Sequence, residues 1–383
     1  YIFCSMRLLL AFDSFKGSLS AADVSQSFAE GWRARRSDDH IDILPIADGG
    51  EGTMAAMSAA LGGSLCRVDV SDPLGRSVEA SYAYVENEGV AIVDTASASG
   101  LTLLDDAERN PLITTSYGTG ELIAAAIRRG CRCVYIGLGG SATNDGGMGL
   151  LRALGYRFYD ADGAELMGRG EELVRVSRVD ASQRIAELDG VEFVVASDVD
   201  NPLFGERGAA RVFAPQKGAD AEMVERLDQG LKNFASVVNA HFGSNAEQRE
   251  GAGAAGGLGY CFSALLGARL QSGIDMVLEA IDFAKRIESS DLVITGEGRI
   301  DSQTVMGKAP SGVLNAATEQ GIPVVAIGGA VESSEALKQS KFTAILPIVA
   351  GPVSLDEAMR EEIAAANVSR TVEQIIKLLT LNR

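Results

Sequence analysis

Histidine is nearly absent from this 383-residue chain, with two copies, and tryptophan occurs once. His40 lies in a charged stretch and His241 ends a long predicted helix, so neither adjoins a glycine-rich loop. No Ser-His or Cys-His nucleophile pair is available, and proton transfer falls to carboxylates or lysines. Positive charge is scarce too: 34 Lys and Arg face 52 Asp and Glu, a formal net charge of −18. That excludes a nucleic-acid or anionic-membrane partner, since either needs a basic face. The five cysteines (Cys4, Cys66, Cys131, Cys133 and Cys261) form no C-x-x-C or zinc spacing. An odd, scattered set fits the reducing cytoplasm, and Cys131 and Cys133 alternate along a predicted strand as core thiols. No leading apolar run approaches membrane length, because the one from Met6 to Phe12 stops at Asp13. Met6 is expected as the natural start, with residues 1–5 an extension.

Glycine is what the chain has in excess, 44 residues where about 7% is usual. It comes in short clusters between apolar runs, which marks tight turns and backbone-lined loops. The apolar run Arg7–Phe12 reads as a buried parallel strand, followed by a helix capped by Ser18 or Ser20 and a strand over 41–46. A helix over 53–61 and a strand over 64–70 follow. The last hundred residues repeat the alternation, with strands over 292–295, 323–327 and 344–348 and helices over 310–320 and 354–379. Alternating elements of this kind predict a parallel sheet covered on both faces. The middle differs: segments 78–85 and 90–95 alternate as an antiparallel pair, and a long amphipathic helix spans 221–242.

The expected architecture is therefore two unlike α/β domains. Residues 6–77 and 285–383 form a discontinuous, mostly parallel, doubly wound domain of the Rossmann/flavodoxin-like type. Residues 78–284 are inserted as a second α/β domain, and the active site is expected in the cleft between them.

Five polar, glycine-rich loops follow strands or precede helices, where α/β proteins bind ligands. They cover 13–18, 47–53, 137–147, 197–202 and 295–301. In the longest, Gly139 and Gly140 let backbone N–H groups approach a phosphate, Ser141 and Thr143 add hydroxyls, and Asn144 and Asp145 are within reach of a metal. It is not a P-loop, because no Lys-Ser/Thr follows the glycines. Gly137, Gly139 and Ala142 do satisfy G-x-G-x-x-A after a strand, with Asp160 further on, so an NAD-dependent dehydrogenase of a small hydroxy acid is the rival reading. Against it, Asn144-Asp145-Gly146-Gly147 interrupts the helix that must begin there. A second G-x-G-x-x-G at Gly251, Gly253 and Gly256 has no strand before it. Phosphoryl transfer suits loops of this kind, since it needs positioning, cations with Mg²⁺, and one carboxylate for the hydroxyl proton. Lys16, Lys217, Arg299 and Lys308 are cations set among Gly, Ser and Asp.

The blocks DSFKGSLSA (from Asp13), PIADGGEGT (from Pro45), IGLGGSATNDGGMG (from Ile136), SDVDNPL (from Ser197), PQKGA (from Pro215), GAGAAGGLG (from Gly251) and ITGEGRID (from Ile294) stand in collinear order. Taken together the chain resembles the bacterial glycerate kinase family from about Met6 to the C-terminal helix. The resemblance implies ATP-dependent phosphorylation of D-glycerate with Mg²⁺, yielding 2-phosphoglycerate rather than the 3-phosphate and feeding lower glycolysis. The individual roles rest on chemistry alone. Asp48 is expected as the base, with Lys16 and Asp198 assisting catalysis, and Asp198 and Asp200 as metal ligands. Ser14, with Lys16 or Arg299, is expected to hold the glycerate carboxylate. Gly49, Gly50, Gly139, Gly140, Ser141, Thr143, Asn144 and Lys217 are expected to bind the nucleotide phosphates.

Overall fold

The computed structural model describes residues 5–50 and 52–381. Residues 1–4 of the expected extension, and Glu51 of the loop over 47–53, therefore lie outside the described residues. The strands run in order as β1 (Arg7–Phe12), β2 (His40–Ile43), β3 (Ser64–Ser71), β4 (Ser77–Val85), β5 (Val90–Asp94), β6 (Cys133–Gly137) and β7 (Arg157–Tyr159). They continue as β8 (Arg178–Asp180), β9 (Glu192–Ala196), β10 (Arg269–Gln271), β11 (Leu292–Ile300), β12 (Val324–Val331) and β13 (Ala344–Pro347). The chain divides into two compact units, one of residues up to 48, 55–61 and from 277 on, the other of 49–54 and 62–276. Among the described residues no helix is long and apolar enough to cross a membrane.

The first unit is built on a wholly parallel five-stranded sheet in the order β13-β12-β11-β1-β2. The two ends of the chain meet here, with Leu8 opposite Leu292 and Phe12 opposite Gly296. Helix Ala21–Arg33 begins at Ser20, whose side chain accepts from the Asp23 N–H, the usual N-cap arrangement. Val24, Phe28 and Trp32, spaced four apart, place one apolar stripe on the sheet, and Phe28 packs on both Phe12 and Trp32. Val368 and Val372 of helix Glu361–Leu381 close the same core. β11 continues through Ile300, so the loop expected over 295–301 is the second half of a strand. Glycine was misleading there. A Cβ on Gly296 would lie 2.0 Å from the Ile327 carbonyl oxygen of β12, so the residue permits close strand approach rather than a turn.

The second unit holds a six-stranded sheet, β10-β9-β6-β5-β4-β3. Its β3-β4-β5 portion is antiparallel and its β5-β6-β9-β10 portion parallel. The antiparallel pair expected over 78–95 is present, but β3 joins it along its whole length, from Ser64 opposite Tyr84 to Ser71 opposite Ser77. The boundary expected after residue 77 consequently falls near residue 62. Local texture reveals a strand but not its partner. Cys131 is buried ahead of β6 rather than within it, and Cys133 opens the strand half-buried.

After β6 and the long glycine loop comes helix Met148–Ala153, of 6 residues, preceded by Gly146 and Gly147 at φ +62° and +78°. The chain then enters β7, which pairs antiparallel with β8 in a separate two-stranded ribbon. A dinucleotide-binding unit requires a long helix returning to a parallel neighbour. Asp160, the expected ribose ligand of the dehydrogenase reading, instead caps its own turn through the Ala164 and Asp162 N–H groups and pairs with Arg175 at 2.5 Å.

Candidate active site

In the first unit the carboxyl ends of three neighbouring strands carry acids. Asp13 follows β1, Glu297 lies on β11, and Asp48 follows the segment beyond β2 that stays paired to β1 through the Ile46 N–H and Phe12 carbonyl. Parallel sheets bind ligands at this edge. Asp13 is 3% exposed and Glu297 7%, whereas Asp48 is half-buried. The Ser14 N–H donates to Asp13 Oδ1 at 2.6 Å. The Thr304 hydroxyl donates to Glu297 Oε1 at 2.6 Å, and Lys308 Nζ stands 3.8 Å from Oε2. Burial and then the charge of Asp48 push Asp13 up to about 7, with Glu297 adding to the rise and the Ser14 amide and Lys16 opposing it. Burial also raises Glu297, against the Thr304 hydrogen bond and Lys308.

Two expected cations differ sharply in commitment. Arg299 is exposed and forms ion pairs with Glu332 and, at 3.5 Å, with Asp301. Lys16 is exposed beside Ser14 with no ion-pair partner among the described residues. Of the two cations expected at the glycerate carboxylate, Lys16 is the one without an ion pair among the described residues.

In the second unit the loops gather at the carboxyl ends of β5, β6, β9 and β10. Gly49, at φ +90°, sits so close that a Cβ would lie 2.6 Å from Gly273 Cα and 3.0 Å from Ala196 Cβ. The nearest neighbour of a Cβ on Gly139 would be Gly50 Cα at 3.8 Å, so these expected phosphate glycines are brought together. Gly139 and Gly140 are exposed, and Gly140 holds φ +72°. Asp94 was not singled out from the sequence. It ends β5 opposite Gly137, where a Cβ would be 2.8 Å from its Oδ1. Its carboxyl is raised to about 6 by burial, opposed by the Met54 N–H. Its only sequence signal was its place at the end of a buried strand.

The other expected phosphate ligands lie inside. Ser141, Thr143, Asn144 and Lys217 are all buried, Lys217 at 2% exposure. Lys217 Nζ donates to Ser141 Oγ at 2.8 Å and to the Thr143 carbonyl at 2.7 Å, crossing 74 residues of sequence to hold the loop from beneath. Burial lowers its amine to about 7, opposed by the charge of Asp145. Asp145 accepts from the Ser116 N–H and hydroxyl, both at 2.8 Å, and from the N–H groups of Gly147 and Gly149. Burial raises its carboxyl against those donors. Thr143 Oγ1 and both amide atoms of Asn144 are buried with no hydrogen-bond partner among the described residues.

The second G-x-G-x-x-G also finds its meaning here. Ala255, Gly256 and Gly257 follow one another at φ +51°, +70° and +97°. Gly146 N–H donates to the Gly256 carbonyl at 3.0 Å, and a Cβ on Gly256 would meet the Thr143 carbonyl at 2.1 Å. This segment is a backbone buttress under the 137–147 loop.

The two residues expected as metal ligands have different partners. Asp198 Oδ1 accepts from the Gly273 N–H at 2.9 Å, whereas Asp200 is exposed and paired with Arg207 at 2.6 Å. Among the described residues no three His, Cys, Asp or Glu side chains group as a metal site. His40 pairs with Asp42 at the start of β2, and His241 packs on Phe242.

Exposed backbone glycines over a buried lysine in one unit, and an acidic strand edge beside an exposed lysine in the other, suit an α/β enzyme of the phosphotransferase class. A model of the glycerate kinase family matches residues 8–380. The glycerate kinase of Bacillus subtilis 168 is 45% identical over 98% of both chains, and the glycerate 2-kinase of Escherichia coli K12 is 41% identical over 98% of both. The crystal structure assigned to glycerate kinase 2 of Salmonella typhimurium LT2 superposes with a TM-score of 0.91 at 40% identity, covering 99% of each chain. The chain belongs to the glycerate kinase family, and nothing in these likenesses supports the dehydrogenase reading.

Proposed function

We propose that this chain transfers the γ-phosphoryl group of ATP to D-glycerate, giving 2-phosphoglycerate and ADP. The observation that carries the reading is the pairing of two chemistries within one chain. One is a backbone cradle at Gly49–Gly50 and Gly139–Gly140, suited to polyphosphate. The other is a carboxylate edge beside an exposed lysine that forms no ion pair among the described residues, suited to a hydroxy acid. Ser141, Thr143, Asn144 and Lys217 shape the cradle from within, and Lys16 with Ser14 holds the glycerate carboxylate. Mg²⁺ takes one or two protein carboxylates beside phosphate oxygens. Asp198 fits that need better than Asp200, which Arg207 already neutralises. When bound, the ion would offset charge on the phosphates. The likeness to a relative named glycerate 2-kinase supports the position of transfer.

ADP release on adding D-glycerate to protein and MgATP tests the reading; a protein that releases none under any divalent ion would refute it. Lys16→Met should raise the KM for glycerate about 10- to 100-fold, the value of a hydrogen bond to a charged group. The KM for ATP should change by less than about threefold, as expected when uniform binding of one substrate is removed. Initial rates against each substrate decide this, and equal loss for both would make Lys16 a phosphate contact instead.

A further inference from the structure

We propose that Asp13, not Asp48, accepts the proton of the glycerate hydroxyl, with Asp48 acting on it through charge. This rests on the kinase reading above. In the step the hydroxyl oxygen bonds to the γ-phosphorus, the bond from that phosphorus to the β,γ-bridging oxygen breaks, and ADP leaves with the electron pair. The proton passes to Asp13 Oδ2 and is later lost to solvent.

The geometry selects Asp13 among the three acids. It follows β1, which lies between β2 and β11 in the sheet, so it stands between the strand ends bearing Asp48 and Glu297. Its Oδ1 takes the Ser14 amide, and no donor to Oδ2 is found among the described residues. A base must keep one lone pair in that condition. Glu297 does not: one oxygen takes the Thr304 hydroxyl and the other faces Lys308. Asp48 is less deeply placed than Asp13, half-buried against 3% exposed. The charged groups acting on Asp13 are Asp48 and Glu297, which raise its proton affinity, and Lys16, which lowers it. The result, about 7, is where an imidazole would titrate. In a chain with two histidines, both elsewhere, a crowded buried aspartate supplies what histidine supplies in other sites. The unfavourable neighbours are thus functional, because they give the carboxylate enough basicity to take an alcohol proton at neutral pH.

The test uses the full chain, with Asp13→Asn and Asp48→Asn, and steady-state rates with D-glycerate and MgATP from about pH 5.5 to 9. For the wild type, kcat/KM for glycerate should fall on the acid side with a midpoint near 7. Asp13→Asn should lose about 10²–10⁴ in kcat and lose that limb, with the KM for ATP nearly unchanged. Asp48→Asn should retain far more activity and move the limb to lower pH, because a charge that raises Asp13 is gone. Asp13→Asn retaining a third or more of wild-type kcat overturns the assignment, as does an Asp48→Asn loss exceeding that of Asp13→Asn. A wild type that never phosphorylates glycerate overturns the kinase reading and this assignment with it. Melting curves separate misfolding from lost chemistry. A folded-state value raised above the unfolded one means stability is lost as pH rises through about 7. Asp13→Asn should therefore melt above the wild type at pH 8 and converge with it towards pH 4. A variant that melts below the wild type at pH 8 contradicts the charged, crowded Asp13 on which the assignment depends.

Discussion

Gly256→Ala is expected to lower the melting temperature by roughly 10 °C and to impair use of ATP in whatever protein remains folded. Gly256 sits at φ +70°, and an added Cβ would lie 2.1 Å from the Thr143 carbonyl oxygen and 2.7 Å from Asn144 Cα. Both neighbours are backbone, so no side chain can swing aside. A left-handed non-glycine residue costs about 1–3 kcal/mol, and overpacking in a tight core about as much again. Together these come to roughly 2–6 kcal/mol, at about 2–4 °C per kcal/mol for a domain of this size. Relief by shifting the buttress would pull on the Gly146 N–H bond to the Gly256 carbonyl and displace the 137–147 loop. Thermal melts decide it, with Gly190→Ala as control, because no atom lies within 4 Å of a Cβ there and its φ is ordinary. A Gly256→Ala protein as stable as that control would show that the buttress is not tight.

The second large effect is a dependence of stability on pH that Lys217→Met removes. Lys217 is 2% exposed, and burial lowers its amine to about 7. Its folded value lies below the unfolded one near 10.5, so the folded state resists the charged form. The cost is fully present below pH 7 and disappears as pH rises towards 10.5. From those two limits, at about 1.4 kcal/mol per unit, the wild type should gain up to roughly 5 kcal/mol over that range from this group. Methionine fills the same space without the charge, so the variant should show a nearly flat profile there. It should also loosen the loop, since Ser141 Oγ and the Thr143 carbonyl lose their shared donor. Denaturant titrations between pH 7 and 9.5 measure the difference. A wild-type and variant pair with parallel pH profiles would show that Lys217 stays charged.

Much of this was written in local sequence. The helix Ala221–Phe242 is anchored by Asp220, whose side chain accepts from the Met223 N–H, and closed by Gly243 at φ +68°, so pattern and punctuation agreed. The strand at Arg7–Phe12 was legible because a strand buried on both faces reads as an unbroken apolar run. What failed was non-local. The pairing of β3 with β4, which moves the unit boundary, depends on a partner that Ser64–Ser71 does not specify. Gly296 and Gly298 looked like a loop because glycine serves both turns and close strand contacts, and only the neighbour tells which. In the site, loop membership was legible and depth was not. Sequence does not show that Lys217 is buried and bonded to the Thr143 carbonyl, nor that Arg299 pairs with Glu332. The crowding of Asp13 was not legible either, because sequence shows that an aspartate follows a strand, not that two other acids act on it.

Phosphorus NMR of a reaction containing the protein, D-glycerate, ATP and Mg²⁺ tests the central claim most directly, because each phosphomonoester has its own shift and proton coupling. The account predicts ADP in equal amount with 2-phosphoglycerate, whose phosphorus couples to the single proton on C2. A product phosphorus coupled to the two C3 protons would contradict the position of transfer, and ATP left intact beside unchanged glycerate would contradict the kinase itself.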